Sequence, residues 1–146
     1  MKIINRRAFQ NYQILERIEA GISLIGAEIK SIRKGRVNLP QSFVRIKNGE
    51  AYLVAAHIPA WSGEAKFGYN PQRDRKLLLH KSQINYLIGK TSGTKLTIVP
   101  TAIYLKNNLA KAEIGLAKAR RKFEKREILK RRAIEREVER ELRGKT

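Results

Sequence analysis

The chain has 146 residues, and its 32 Lys and Arg against 13 Asp and Glu give a formal net charge of +19 at pH 7. This length fits one compact domain with at most an extension, and the basic excess indicates a nucleic acid as partner, with a membrane surface as the weaker alternative. The absence of cysteine excludes disulfides and thiolate zinc sites, and the lack of a long apolar run or a signal-type N-terminus predicts a cytoplasmic protein that does not cross a membrane.

The N-terminal part of the chain predicts a strand and then a short helix. After a basic entry segment, Asn5 to Phe9, residues Tyr12 to Ile18 are rich in β-branched and aromatic side chains, and strand-like sequence continues from Glu19 to Leu24. Residues Ile25 to Lys34 predict a helix, which Gly35 ends because glycine adopts the left-handed conformation most easily.

The predicted helix has an apolar face and a basic face. Three isoleucines at i, i+4 and i+7 share the first, and three cations at i, i+3 and i+4 share the second. They are Ile25, Ile29 and Ile32, and Lys30, Arg33 and Lys34. Spacing alone leaves open whether the basic face is merely solvated or is held by a core and presented to a polyanion.

The middle of the chain predicts a hairpin and a loop. Asn48-Gly49 lies between the strand-like segments Ser42–Lys47 and Glu50–Ala56 and favours a type I′ turn. Proline and glycine interrupt residues Pro59 to Asp74, which predicts a loop. It contains Pro59, Gly63, Gly68 and Pro71, and three rings, Trp61, Phe67 and Tyr69. We expect these rings to fold back onto the body, with base stacking as the alternative.

The following residues predict a short strand, a helix and a long hairpin. A basic cluster from Arg73 leads into an apolar strand that ends at His80, and apolar residues at helical spacing follow from Ile84 to Ile88. A long strand is predicted for Lys95 to Lys106, with a bend or bulge near Pro100. Asn107-Asn108 is a turn candidate, and Leu109 to Leu116 alternates as a strand with one apolar face.

These elements predict a mainly β fold with short α-helices. About six strands joined by hairpins in so short a chain favour an antiparallel sheet closed into a small barrel. We assign residues 1–117 to this domain and residues 118–146 to a basic C-terminal tail. Their net charges are +12 and +7, so we expect both parts to contact the same kind of partner.

The tail has charged pairs at helical spacing but only a thin apolar stripe. Ile134, Val138 and Leu142 recur every four residues, and Lys130 and Arg131 interrupt the stripe. We expect a frayed or disordered tail that becomes helical on a polyanion. The alternative is a permanently solvated charged helix or a coiled-coil arm.

No constellation of residues predicts an enzyme, a cofactor or a metal site. The two histidines, His57 and His80, each lie beside strand-like sequence, where a structural hydrogen bond is the common role. Nucleotide-binding glycine loops, zinc-protease motifs and nucleophile elbows are missing from the sequence. Glu19 and Glu28 are acids in basic surroundings, so each would hold an arginine in place or accept a hydrogen bond from RNA.

Several blocks of sequence, in order, resemble the SsrA-binding protein (small protein B) family, the bacterial partners of transfer-messenger RNA. They include Asn5-Arg6-Arg7-Ala8-Phe9, Glu19-Ala20-Gly21-Ile22, Glu28-Ile29-Lys30-Ser31-Ile32-Arg33, Gly35-Arg36-Val37-Asn38, Arg75-Lys76-Leu77-Leu78-Leu79-His80 and Ala112-Glu113-Ile114-Gly115-Leu116-Ala117. The resemblance implies an oligonucleotide-binding-like barrel with inserted helices, no enzymatic activity and no cofactor.

The same resemblance implies the partners and the mechanism. The barrel is expected to hold the tRNA-like domain of transfer-messenger RNA, which elongation factor Tu delivers, after charging by alanyl-tRNA synthetase, to the vacant A site of a stalled ribosome. The tail is expected to lie against 16S rRNA in the decoding centre and along the empty mRNA path. A general architectural nucleic-acid binder is the alternative function.

Candidate site residues come from the resemblance and from clusters of charge. By resemblance, RNA-contacting or contact-supporting residues are Asn5, Arg6, Glu19, Arg33 and Leu78. Charge clustering adds Arg36, Arg73, Arg75 and Lys76, and the basic entry segment and helix face add Arg7 and Lys30. In the tail, the ribosome-contacting candidates are Phe123, Glu124, Lys125 and Arg126, where the family usually has Asp-Lys-Arg after an aromatic residue or histidine.

Overall fold

A computed structural model describes residues 2–61 and 67–144 of the chain. Gly63 of the predicted loop lies outside these residues, as do the last two residues of the tail. In chain order the elements are β1 (Lys2–Ile4), α1 (Arg6–Asn11), β2 (Tyr12–Ile22), α2 (Gly26–Arg33), β3 (Phe43–Lys47), β4 (Glu50–Val54), β5 (Arg75–Leu78), α3 (Lys81–Thr91), β6 (Leu96–Lys106), β7 (Leu109–Ala119) and α4 (Lys122–Gly144). None of the described helices is both long and apolar enough to span a bilayer.

All seven strands belong to one antiparallel sheet in the order β1-β6-β7-β2-β5-β4-β3. Among the described residues, β1 and β3 are its two edges and no ladder joins them, so the prediction of a closed barrel is wrong. Main-chain hydrogen bonds are also missing between the described residues of β3 and β6, where side chains border an open space. Val44, Ile46, Leu96 and Ile98 help to line an open groove of about 430 Å³ there.

The turns follow the chemistry of their residues. Asn48 and Gly49 have φ of 53° and 74°, and Asn107 and Asn108 have φ of 52° and 63°. Positive φ at both central residues is the requirement of a type I′ hairpin, and both predicted turns are confirmed. Gly35 has φ of 72° just after α2, as predicted for the residue that ends this helix.

The long hairpin of β6 and β7 lies between β1 and β2 in the sheet. Its register shifts between Pro100 and Ala102, which confirms the predicted irregularity near the proline. Ile103, Ile114 and Leu116 point into the main core, where they join residues of β4, β5, α2 and α3. Beyond the shift, Val99 packs with Ala8 and Ala117 in a second small cluster beneath α1.

The C-terminal tail forms the 23-residue helix α4. This agrees with the alternative of a solvated charged helix, since Ile134, Val138 and Leu142 are exposed along it. The strand before it runs two residues past the boundary that we placed at 117, because Lys118 and Ala119 still pair with β2. Arg120 then donates its backbone N–H to Asn11, at 2.8 Å.

Gly115 provides a test of how tightly the second cluster is packed. A Cβ at this position would lie 2.9 Å from Ile14 Cγ2 and 3.1 Å from Thr101 Cγ2. We expect Gly115→Ala to lower the free energy of unfolding by about 1–3 kcal/mol through overpacking. Urea denaturation followed by circular dichroism measures this change.

The matched control is Gly89→Ala in α3, where an added Cβ would meet no atom within 4 Å. Because alanine favours helix, this control is expected to raise the free energy of unfolding by about 0.5–1 kcal/mol. Equal stability of Gly115→Ala and the wild type would contradict the tight packing of β2 against β7.

Candidate nucleic-acid interface

The first turn of α2 contains a fully buried carboxylate, Glu28. It accepts the backbone N–H of Ile25 at 3.0 Å, which satisfies a donor that the helix start leaves without an intrahelical partner. Two arginines from outside the helix bind the same carboxylate. Glu28 therefore joins α2 to the chain around residues 69–75.

Arg75 fills the centre of this network. Its Nε and Nη2 donate to Glu28 Oε2 at 3.0 and 2.6 Å, and its remaining donors reach the carbonyls of Ala56 at 2.6 Å and Pro71 at 2.8 Å. Arg73 donates from Nε to Oε2 at 3.2 Å and from Nη2 to Oε1 at 2.5 Å. The Tyr69 hydroxyl lies 2.8 Å from Glu28 Oε2. Two guanidinium groups and one carboxylate leave the cluster with a single net positive charge.

The electrostatics of the cluster keep Glu28 ionised. Burial by itself raises the pKa of this carboxyl, but hydrogen bonds from Arg73, Arg75, Ile25 and Tyr69 outweigh burial and bring the pKa to about 2. Burial and the neighbouring carboxylate raise the pKa of Tyr69. The phenol therefore stays protonated and can donate its hydrogen.

Two candidate residues are positioned for support rather than for contact. Arg75 has 0% of its surface exposed, so the expectation that it contacts RNA conflicts with its burial; strand alternation turns it inward together with Leu77. Asn5 is 4% exposed. It caps α1 by accepting the N–H of Ala8 at 3.3 Å, and its amide donates to the carbonyl of Pro100 at 2.9 Å.

The outward face of the sheet brings together residues from distant parts of the chain. Cross-strand partners form one row over five strands: Lys2, Tyr104, Lys111, Gly21 and Leu78. Leu78 is 56% exposed. A Cβ on Gly21 would lie only 3.2 Å from Leu78 Cβ. The absence of a side chain at Gly21 therefore leaves room for the Leu78 side chain to lie over the neighbouring strand β2.

Glu19 lies beside this row and is held by two side chains. It accepts a hydrogen bond from the Tyr104 hydroxyl and forms an ion pair with Lys106 at 3.6 Å. The hydrogen bond from Tyr104 is the main cause of the lowered pKa of Glu19, and burial together with Glu19 raises the pKa of Tyr104 to about 12. The carboxylate is thus a fixed acceptor among lysines.

Lys76 also points outward from β5. It forms an exposed ion pair with Glu50 at 3.4 Å, and its cross-strand partner is Tyr52. Exposed ion pairs of this kind contribute little to stability, so the lysine is available to a competing phosphate.

The remaining cations form two groups at opposite ends of β2. At the end that follows Ile22, α2 exposes Lys30 and Arg33, and Arg36 and the 35%-exposed Arg73 lie beside this helix. At the other end, α1 exposes Arg6 and Arg7. Of the candidate RNA-binding residues, the first group therefore holds Lys30, Arg33, Arg36 and Arg73, and the second holds Arg6 and Arg7. An 11-residue strand is about 35 Å long, so the two groups are well separated.

The tail candidates lie in the first turn of α4 and just after it. Phe123 is 72% exposed, and Lys125 is half-buried. Further along, α4 lies beside α1 across an open groove of about 560 Å³. The groove is lined by Ile4, Arg6, Phe9, Gln10, Arg132, Glu135, Arg136 and Glu139. The side of α4 that faces α1 is therefore polar.

A family model with the description SmpB protein matches residues 2–144. The chain belongs to the SmpB family. An SsrA-binding protein of Sulfurihydrogenibium sp. (strain YO3AOP1) is 51% identical over 141 residues, covering 97% of this chain and 93% of that protein. One of Enterococcus faecalis (strain ATCC 700802 / V583) is 50% identical, covering 96% and 91%. These findings confirm the resemblance seen in the sequence.

A solved structure described as "tmRNA-SmpB: a journey to the center of the bacterial ribosome" is also similar. Its chain is 40% identical to this one with a TM-score of 0.70, and the match covers 88% of this chain and 94% of that one. SmpB proteins are RNA-binding adaptors and not enzymes, as the sequence predicted. Within the described residues, no group of three or more His, Cys, Asp or Glu side chains could hold a metal ion.

Sequence reasoning missed part of the outward sheet face. Tyr104, Lys106 and Lys111 were not candidates, although the predicted turn at Asn107-Asn108 already places Tyr104 opposite Lys111 in a two-residue hairpin. The interpretation of Glu28 as an acid that holds an arginine in place is confirmed, and it holds two.

The pKa of Glu28 leads to a prediction about stability and pH. A carboxyl whose pKa falls from 4.5 to about 2 on folding stabilises the native state above pH 4.5, and this contribution disappears as the pH falls toward 2. We expect Glu28→Gln to cost about 3 kcal/mol at pH 7, and the difference from wild type to shrink between pH 4.5 and pH 2. Urea denaturation at several pH values measures it.

Glu50→Gln is the matched control, because its ion pair with Lys76 is exposed on both sides. Its cost is expected to stay below about 1 kcal/mol at every pH. A Glu28→Gln deficit that is constant from pH 7 to pH 2 would mean that the ionised carboxylate is not its cause.

Proposed function

We propose that this chain binds the tRNA-like domain of transfer-messenger RNA and brings it to stalled ribosomes as a non-catalytic adaptor in trans-translation. The observation that supports this most directly is the match to the SmpB family over residues 2–144. Relatives described as SsrA-binding protein also share about 50% of their residues with nearly the full chain. The similar solved chain belongs to a study of tmRNA-SmpB in the bacterial ribosome.

The outward sheet face is the proposed surface for the folded RNA. It combines lysines from several strands with the Tyr104 ring and the exposed Leu78, a mixture that suits phosphates, ribose edges and unstacked bases. Glu19 is a fixed acceptor for a ribose hydroxyl or a base amine. We take the sheet to be curled like an oligonucleotide-binding barrel with an open seam, because β3 and β6 face each other across a groove.

The cations of α2 extend this surface. The hydrogen bonds that Arg73 and Arg75 donate to Glu28 fix α2 against β5 before any RNA arrives. A preorganised set of cations loses less conformational entropy on binding than a mobile set would. Phosphate contacts made in this way position the protein on the RNA, and the fit to one folded shape supplies selectivity.

The tail is proposed to act on the ribosome. Its exposed Phe123 and the cations that follow it suit stacking on and neutralisation of 16S rRNA in the decoding centre and along the empty mRNA path. Glu124 keeps the charge of the aspartate that the family usually has. We further propose that elongation factor Tu and alanyl-tRNA synthetase act through the RNA and that the protein works in the cytoplasm.

Selectivity separates this function from that of a general nucleic-acid binder. At moderate salt we expect the tRNA-like domain of transfer-messenger RNA to bind at least about tenfold more tightly than ordinary tRNA or duplex DNA, within the usual range of specific discrimination. Lys76→Ala should weaken all three, while Leu78→Ala should weaken mainly the tRNA-like domain. Equal affinity for the three ligands, measured by filter binding, would exclude the adaptor function.

Truncation tests the division between body and tail. A chain ending at Arg121 keeps the whole of β7 and the Arg120 contact with Asn11, whereas a cut after Ala117 would remove sheet pairs. We expect the truncated chain to bind the tRNA-like domain within about threefold of wild type, because the proposed RNA face is intact, and to lose tagging in a reconstituted translation assay.

Lys81→Ala, an exposed cation on α3, is the control for loss of charge and should retain tagging. If the truncated chain instead lost RNA binding while remaining folded by circular dichroism, the proposed division of roles would be incorrect.

A further inference from the structure

Trp61 lies against two cations just beyond the end of α2. The guanidinium carbon of Arg36 is 4.7 Å from the centroid of the indole ring, and Lys34 Nζ is 5.9 Å from it. These are cation–π distances. Both cations are exposed and the ring is half-buried, so solvent reaches the group.

The end of α2 explains why these side chains meet. Gly35, with φ of 72°, turns the chain sharply between Lys34 and Arg36, and the two cations come to the same ring. The backbone before Trp61 is held as well. Ser31 of α2 donates a hydrogen bond to the carbonyl of Pro59, and the N–H of Ile58 donates to Pro71 at 2.9 Å.

The Trp61 ring has therefore folded back, as predicted, but onto cations rather than onto the apolar core, whereas Phe67 of the same loop is fully exposed. Trp61 is absent from both core clusters of the described residues. Neither Lys34 nor Arg36 forms an ion pair with a carboxylate among those residues. An indole stacked with a guanidinium beside a second cation offers a planar surface and positive charge together.

We propose that Trp61, Arg36 and Lys34 form a binding site for one unpaired RNA nucleotide. The base extends the stack of indole and guanidinium, since each presents a flat π surface, and Lys34 and Arg36 neutralise the adjoining phosphate. This site rests on the proposed RNA-binding function and adds to it a second contact, at the far end of α2 from the sheet face.

The site adjoins the Glu28 network. Ser31 and Glu28 belong to the same helix, and both bind the chain that leads into or out of the loop containing Trp61. A base bound there is consequently fixed relative to the sheet, which is the condition for reading a folded RNA at two places.

Trp61 is the only tryptophan of the chain, so its fluorescence reports on this site alone. We expect the tRNA-like domain of transfer-messenger RNA to quench the emission of the full-length protein with the same concentration dependence as binding. Trp61→Ala is expected to lose at least about tenfold in affinity, the usual effect of removing one stacked base partner. Trp61→Phe should lose less than about threefold, because a ring remains.

Variants of Arg36 separate stacking from charge. Arg36→Ala should lower the RNA affinity. It should also reduce the magnitude of the slope of log affinity against log salt concentration by about one. Arg36→Lys should restore the salt slope but not the full affinity, because the lysine lacks the guanidinium plane. Circular dichroism and urea denaturation establish that each variant is folded.

The matched control is Tyr86→Ala, which removes another surface cation–π pair, with Lys90 at 5.6 Å on α3. It should leave RNA affinity unchanged. Tight, selective RNA binding without a change in Trp61 emission, or with Trp61→Ala equal to wild type, would overturn the site while leaving the proposed function standing. Equal binding of all nucleic acids would instead contradict the proposed function.

Discussion

One buried negative charge organises the cationic side of this molecule. Glu28 is enclosed in the first turn of α2 and bound by two arginines, one wholly buried and one partly open to solvent. Breaking such a pair costs far more than its net contribution to stability, because the partner charge would remain buried without compensation. The carboxylate thereby makes α2, β5 and the chain around Tyr69 a single rigid unit. The positions of the exposed cations on α2, which we propose to face RNA, follow from that unit.

The long strand β2 relates the proposed contact regions to one another. Its C-terminal end pairs with β5 and leads into α2, and its N-terminal end lies beside α1 and the start of α4. The sheet face lies between these ends. A folded RNA that touches the sheet and α2 therefore leaves α1 and the tail at the opposite end, where a second, larger RNA surface can approach. The basic excess of both parts of the chain fits this arrangement.

Local sequence was sufficient for the turns and for most elements, but not for β1, α1, the sheet edges or burial. The geometry of the turns at Asn48-Gly49 and Asn107-Asn108 can be predicted from these residues alone, because few other residues accept positive φ at two successive positions. Closure of a barrel depends on whether two edges far apart in sequence meet, and no local pattern encodes that. Arg75 was misjudged because charge clustering ignores direction; its alternation with the buried Leu77 already indicated an inward side chain. The charge of the buried Arg75 is compensated by its acceptor Glu28, which lies 47 residues away in the sequence.

The orientation of α4 bears on the free energy of separating the tail helix from α1. Its apolar side chains, Ile134, Val138 and Leu142, point to solvent, while its polar side lies along α1. Moving α4 away from α1 would mainly expose polar side chains of the helix, together with Ile4 and Phe9 on the facing surface, so the free-energy penalty would be small. The backbone bond between Arg120 and Asn11 remains as the pivot. Movement of α4 away from α1 would therefore leave the packing of the sheet itself unchanged.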